Sequence, residues 1–368
     1  MTSALEIVIL GLSMRSSWGN GHATTYRALT RALRKRGHQV RFLERDVQWY
    51  ADNEDAPGDL EACIELYGSV EQLRDERAND IAQADLVVVG SYVPDGIEIG
   101  EWVQRSARGT VAFYDIDTPV TLAKLEAGRC DYLHPRLIAG YDLYLSFTGG
   151  PVLDTLRVRY GAHAVPFYCA VDPERYAPTP MPPRYDLGYM GTYSADRQPA
   201  LESLLIGPAR DWPAGRFIVA GPQYPRGIEW PDNVHRVEHL GPDEHPEFYN
   251  AQRFTLNVTR ADMVAAGWSP SVRLFEAAAC GTPIISDAWP GLDTLFEPGR
   301  EILIAREARQ VLYWLRDMPS KRRRAIGAAA RARVLAGHTA AHRAQALERY
   351  LDRVARRSTA ARSRRQVA

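Results

Sequence analysis

Lysine is almost absent from this chain. Of 45 basic residues in 368, only Lys35, Lys124 and Lys321 are lysines, so arginine supplies the remainder. No lysine follows a G-x-x-x-x-G run, which excludes a P-loop kinase, and few side chains are left for Schiff-base chemistry. Base composition of the genome accounts for such an arginine excess without any function. Cysteine is also scarce: Cys63, Cys130, Cys169 and Cys280 show neither C-x-x-C spacing nor a disulfide framework. The nine histidines lack zinc-like spacing, and His338 and His342, at i and i+4, do not belong to an H-E-x-x-H pattern. No metal is expected. No apolar run approaches the 18 residues of a membrane span, and the N-terminus lacks a basic leader. A soluble, reducing, cytoplasmic setting is the expectation.

Net charge is absent as well, with 45 basic against 45 acidic residues, which removes the simplest argument for a nucleic-acid partner. The balance is uneven, however. Residues 319–368 hold 14 arginines and lysines and two acids, Glu348 and Asp352, so the remainder is acidic to the same extent. That basic terminus is expected to partner the acidic body, with weak contact to an anionic membrane surface as an alternative.

The length suggests two domains, each large enough for a core, and short apolar runs alternate with helical stretches as in α/β proteins. Strands are expected at Leu5–Leu10, Gln39–Leu43, Leu86–Val89, Thr110–Phe113 and Leu143–Ser146, with a helix over His22–Arg36. Five prolines between Val171 and Asp186 read as a linker. The pattern then restarts with strands at Leu187–Met190, Phe217–Ala220, Val234–Val237, Thr255–Val258 and Ile284–Ser286. Helices are expected over Pro270–Cys280, Gln310–Ala336 and Ala340–Arg357. The expected division is 1–172, a linker at 173–185, 186–338, a helix at 339–358 and a flexible basic tail at 359–368. Two doubly wound domains imply a cleft, with ligands beyond the carboxyl ends of the strands.

Three loops carry candidate chemistry. In the first, Trp18-Gly19-Asn20-Gly21-His22 precedes a helix, where small residues and backbone amides can approach an anion or a sugar closely. Gly19-x-Gly21-x-x-Thr24 nearly fits a dinucleotide fingerprint, with Glu44 or Asp46 as ribose acceptor. A tight turn without a ligand fits the same residues. The second, Asp115-Ile116-Asp117-Thr118-Pro119, places two carboxyls at i and i+2, on one face if extended, for a metal or as an orienting group or base. Helix capping by Asp117 or Thr118 is the plainer reading. In the third, Ser269 caps and Pro270 opens a helix on which Ser269, Arg273 and Glu276 share a face. Its free amides and Arg273 suit a diphosphate, and Glu276 a ribose diol. A surface Arg273–Glu276 pair is the alternative. Asn257-Val258-Thr259 matches a glycosylation sequon at a predicted strand end and carries no expectation.

The second half resembles the nucleotide-sugar domain of group-1 glycosyltransferases with the GT-B fold. The likeness runs through Gly188-Tyr189-Met190-Gly191-Thr192, Val219-Ala220-Gly221-Pro222, His239-Leu240-Gly241-Pro242 with Phe248-Tyr249, and Leu274-Phe275-Glu276 to Gly281-Thr282-Pro283. The whole chain is similar to the CgeB-like (spore-maturation type) branch, whose first domain carries a segment like Asp117-Thr118-Pro119. The resemblance implies two Rossmann-like doubly wound domains facing across a cleft, and transfer of a sugar from a nucleotide-diphosphate sugar to an acceptor hydroxyl without a cofactor. It implies donor contacts from Gly191, Thr192, Tyr193, Arg197, Gly221, Pro222, Leu240, Ser271, Arg273, Glu276, Asp287 and Asp293. Arg197 would face the diphosphate and Glu276 the ribose. Asp117 would act on the acceptor hydroxyl, with Asp115, Thr118 and the Trp18–His22 loop beside it. The family's glutamate eight residues before Glu276 is Trp268 here. A nucleotide-sugar epimerase, an NAD(P)-dependent oxidoreductase resting on Gly19 and Gly21, and a non-catalytic sugar-nucleotide binder stay open on the sequence.

Overall fold

Leu86–Gly90 reads LVVVG with all five residues buried, as a strand covered on both faces of a parallel sheet requires. Similar runs build the rest of the molecule. The computed structural model describes residues 4–55 and 58–367, with side chains to residue 357. The chain divides into two units, Met1–Cys169 with Ala340–Ala368, and Ala170–Thr339.

The first unit holds β1 (Glu6–Gly11), β2 (Gln39–Arg45), β3 (Ile64–Tyr67), β4 (Leu86–Gly90), β5 (Thr110–Asp115), β6 (Leu143–Ser146) and β7 (Ala164–Pro166). They form one parallel sheet in the order β3-β2-β1-β4-β5-β6-β7. Alternate residues Val8, Leu10, Val87, Val89, Val111 and Phe113 join Leu73, Ile81, Ile99 and Val103 in a core on one face. The second unit holds β8 (Tyr185–Met190), β9 (Phe217–Ala220), β10 (Val234–Val237), β11 (Gln252–Asn257), β12 (Ile284–Ser286) and β13 (Leu303–Ile304), also parallel, in the order β10-β9-β8-β11-β12-β13. The order reverses between β1 and β4 in one sheet and between β8 and β11 in the other. Those reversals open crevices at the carboxyl ends of the strands.

The terminal helix Ala340–Val367 belongs to the first unit. Glu348 accepts from Arg36 Nε and Nη2, both at 2.6 Å, and faces His38 Nε2 at 2.9 Å. Ala344 and Leu347 are buried beneath it. The helix continues past Arg357, where the sequence suggests it ends.

Three other expectations need correction. Gln310–Ala336 is two helices, Ala308–Asp317 and Ser320–Gly337, because Pro319 drives Met318 out of the helical region, to ψ 123°. The helix expected from Pro270 starts at Val272, with Ser271 as its N-cap; Ser269 instead donates to the Gly267 carbonyl. Strands β3, β7 and β13, absent from the sequence reading, are edge or near-edge elements of two to four residues. Among the described residues no helix is long and apolar enough to cross a membrane.

Candidate functional site

In the second unit the candidate residues collect around the β8–β11 reversal. Arg273 sits one residue inside Val272–Ala279 and reaches across it. Its Nε donates to the Met190 carbonyl at the end of β8, and Nη1 donates to Asn257 Oδ1, at 2.9 Å, at the end of β11. The guanidinium lies 5.0 Å from the centre of the Tyr189 ring. Ser271 Oγ donates to the same Asn257 oxygen at 2.8 Å. Arg273 is 8% exposed and Glu276 3%, so the surface ion pair does not form. Glu276 instead accepts from the Tyr249 hydroxyl at 3.0 Å, and burial beside its charge raises the Tyr249 and Tyr176 phenols.

The turns after β8 and β9 close on each other through glycine. Gly191 N donates to the Ala220 carbonyl at 2.8 Å, and Tyr193 N to that of Pro222 at 3.0 Å. Gly221 has φ +143°, and a Cβ there would lie 2.1 Å from the Gly191 oxygen, so any side chain forces the turns apart. Arg236 donates to the Val219 and Gly221 carbonyls and lies over the rings of Tyr224 and Trp230.

Arg197 follows the first of these turns. It donates from Nη2 to the Thr192 carbonyl at 2.5 Å, while its buried Nε has no hydrogen-bond partner among the described residues. Burial pushes its pKa down, and the charges of Arg273 and Arg260 add to this. Two guanidiniums, Arg273 buried and Arg197 half-buried, bonded among the described residues only to neutral acceptors, therefore lie close enough to repel each other. Such an excess of positive charge is stable when an anion joins it.

The remaining donor-side candidates divide. Asp287 is half-buried and spends both oxygens on Thr259, with its carboxyl pushed up by partial removal from water; it shapes the loop after β11. Leu240 and Pro222 are half-buried, and Asp293 is exposed in the first turn of Leu292–Leu295. Trp268 adopts a left-handed φ of 45° and donates from its N–H to the Pro290 carbonyl at 2.7 Å. Asn257 was legible only as a sequon; its side chain is buried among Thr259, Ser271, Arg273 and Ser286.

In the first unit the loop after β1 is held from beneath. Glu44 accepts from Ser13 Oγ and from the Met14 and Arg15 amides. Asn20 donates to the Ser13 and Ser16 carbonyls and accepts from the His22 amide. Glu44 is thus occupied by the loop itself and offers no free carboxylate to a cofactor ribose. Asp115 and Asp117 do not share an exposed face. Asp115 is fully buried, accepts from Tyr144, Thr121 and the Asp117 amide, and burial pushes its pKa up to about 6. Thr118 is buried against Asp115 and Ser146. Asp117 is the N-cap of Thr118–Glu126 but makes no side-chain cap bond; its Oδ2 accepts from the Tyr92 hydroxyl at 2.9 Å. Tyr92, which sequence reasoning missed, has a left-handed φ of 64°, and strain of that kind gathers at functional loops. The half-buried His22 ring lies 5.4 Å from the Tyr92 ring, and partial removal from water holds its pKa below the ordinary value. His22, Tyr92 and Asp117 thus meet at the β1–β4 reversal.

Comparison with known proteins bears on the fold. Residues 197–349 match the model of the Glycosyl transferase-like family. No curated protein sequence matches the chain. Among solved structures, HepE of Anabaena, in complex with UDP and glucose, superimposes with a TM-score of 0.68 at 15% identity, covering 95% of this chain and 99% of that one. Sucrose-phosphate synthase from Thermosynechococcus elongatus gives 0.65 at 15% identity over 97% and 100%. An alpha-glucosyltransferase in complex with UDP and a 13-mer DNA gives 0.69 at 11% identity over 95% and 100%. The chain has the GT-B glycosyltransferase fold, with parallel sheets of seven and six strands.

Proposed function

We propose that this chain is a metal-independent hexosyltransferase of the CgeB-like branch that moves a sugar from UDP-sugar to an acceptor hydroxyl. The observation that carries the reading is the pair of guanidiniums, Arg273 buried and Arg197 half-buried, with no carboxylate among the described residues bonded to either at the β8–β11 reversal. A diphosphate there completes their hydrogen bonds. As the bond from the anomeric carbon to the leaving oxygen breaks, the electron pair passes to the diphosphate, and both arginines stabilise the charge that develops. Glu276, on the same helix, holds the ribose hydroxyls. The tight Gly191 and Gly221 turns admit the nucleotide against backbone. Uridine is favoured by the UDP in HepE and in the alpha-glucosyltransferase.

On the first unit, Asp117 orients the acceptor hydroxyl and Tyr92 fixes the carboxylate. A cofactor-dependent oxidoreductase is disfavoured by the engagement of Glu44 with its own loop and of Asp46 with Arg15. The test is titration of UDP, GDP, ADP and dTDP against the protein, followed by a search for sugar transfer from the nucleotide sugar that binds. Conversion of the donor alone into a new sugar nucleotide would favour an epimerase instead.

A further inference from the structure

The loops beyond β2, β1, β4 and β5 present a row of side chains along one edge of the first sheet, in the order in which those strands lie. Trp49 follows β2, Trp18 and His22 follow β1, Tyr92 follows β4 and Asp117 follows β5. Contacts lie in two groups along it: the Trp49 and Trp18 ring centroids are 6.2 Å apart at 79°, and the His22 and Tyr92 rings are 5.4 Å apart with Tyr92 bonded to Asp117. Trp49 is 54% exposed, the most exposed tryptophan among the large hydrophobic side chains at the surface.

The ground under this tryptophan pair is rigid. Arg15, nearly buried, contacts Glu44, Asp46 and Glu54. Arg27 ties Asp55 to the carbonyls of Met14 and Arg15. Ser16 donates to the Asn53 carbonyl, and Trp49 Nε1 reaches that of Trp18 at 3.5 Å. A network of ion pairs, with Arg15, Arg27 and Glu44 buried and Asp46 and Glu54 exposed, thus holds an aromatic corner that faces solvent, and aromatic anchors held in place are what binding surfaces are built on.

From these observations we propose that Trp18 and Trp49 form a subsite for a neutral oligosaccharide, the acceptor of the transfer reaction. The proposal rests on the glycosyltransferase reading and names its acceptor class. A pyranose has an apolar C–H face that packs on an indole and a polar edge that needs hydrogen-bond partners. Gln48, Asp52 and Glu54, all exposed around Trp49, supply acceptors for such an edge. The Asp52 and Glu54 carboxylates repel uronates and sialylated chains, and an apolar protein partner would have to bury those charges. The row from β2 to β5 crosses three strand spacings, about 14 Å, which is longer than one monosaccharide.

The test uses the full chain with cellotetraose, maltotetraose, chitotetraose and a galacturonate tetrasaccharide as probes, against their monosaccharides. At least one neutral tetrasaccharide should bind, about ten-fold tighter than its monosaccharide. Trp49→Ala should weaken that binding about ten-fold and Trp49→Phe much less, with the melting temperature and UDP affinity unchanged. Binding of none of the neutral probes, equal binding by Trp49→Ala, or tightest binding of the galacturonate probe would overturn the subsite. If UDP binds while every glycan fails, only the subsite falls. If a glycan binds at Trp49 while no nucleotide does, the transferase reading falls instead.

Discussion

The Nε of Arg273 donates to the carbonyl oxygen of Met190 at 2.5 Å, so a single side chain joins the helix Val272–Ala279 to the end of β8 while its other arm holds Asn257 on β11. Arg273→Lys keeps the charge but cannot make both contacts and still face an anion. UDP affinity should fall about 10- to 100-fold, the range expected for charge-assisted bonds, with a smaller loss of thermal stability. Calorimetric titration beside a melting curve separates the two effects.

Gly221 and Gly227 make a matched pair. Gly221→Ala puts a methyl 2.1 Å from the Gly191 oxygen, whereas nothing lies within 4 Å of a Cβ at Gly227. Gly221→Ala should cost more than about 2 kcal/mol of stability and lose nucleotide binding with it. Gly227→Ala should stay within about 0.5 kcal/mol. Denaturant unfolding of the two variants checks the difference.

Tyr92→Phe removes the hydroxyl that fixes Asp117. The turnover number should drop about ten-fold, the worth of one such hydrogen bond, while UDP affinity stays at the wild-type value. A loss of UDP affinity in this variant would argue against a role confined to the first unit.

Stability against pH has two opposing contributions. Glu348 has its pKa held below the ordinary 4.5 by its bonds from Arg36, with His38 adding to this. It therefore stabilises the fold above pH 4.5, and that contribution is lost as pH falls through the lower, folded value. Glu348→Gln should cost about 1–3 kcal/mol at pH 7, and the gap to wild type should close at strongly acidic pH. Asp115 runs the other way. Its pKa is raised from 3.8 to about 6, so its contribution is fully present below pH 3.8 and is lost as pH rises through about 6. The stability of wild type relative to Asp115→Asn should rise as pH falls from 7 to 5.

Much of this architecture is legible before any coordinates. Phe217–Ala220 and Ile284–Ser286 are buried, largely apolar runs with turn residues on both sides, and they form strands at those bounds. Short edge strands such as Ile64–Tyr67 mix exposed and buried residues and give no comparable pattern. Arg273 and Glu276 could be singled out because a helix start, a charge and a diol acceptor share one segment. Tyr92 could not, because its importance lies in a backbone strain and a contact to a residue 25 positions away. Asp115 was misread for a related reason: the i, i+2 rule holds along a strand, but the chain turns at Asp117 to begin a helix.

Nucleotide binding by Arg197 and Arg273 carries the proposed function. Calorimetric titration of UDP into wild type, Arg197→Gln and the Arg197→Gln/Arg273→Gln double variant measures it. Saturable binding to wild type, weakened about ten-fold or more by the first change and abolished by both, is the predicted result. Wild-type affinity in the double variant, or no binding of any nucleoside diphosphate by the native protein, would contradict it.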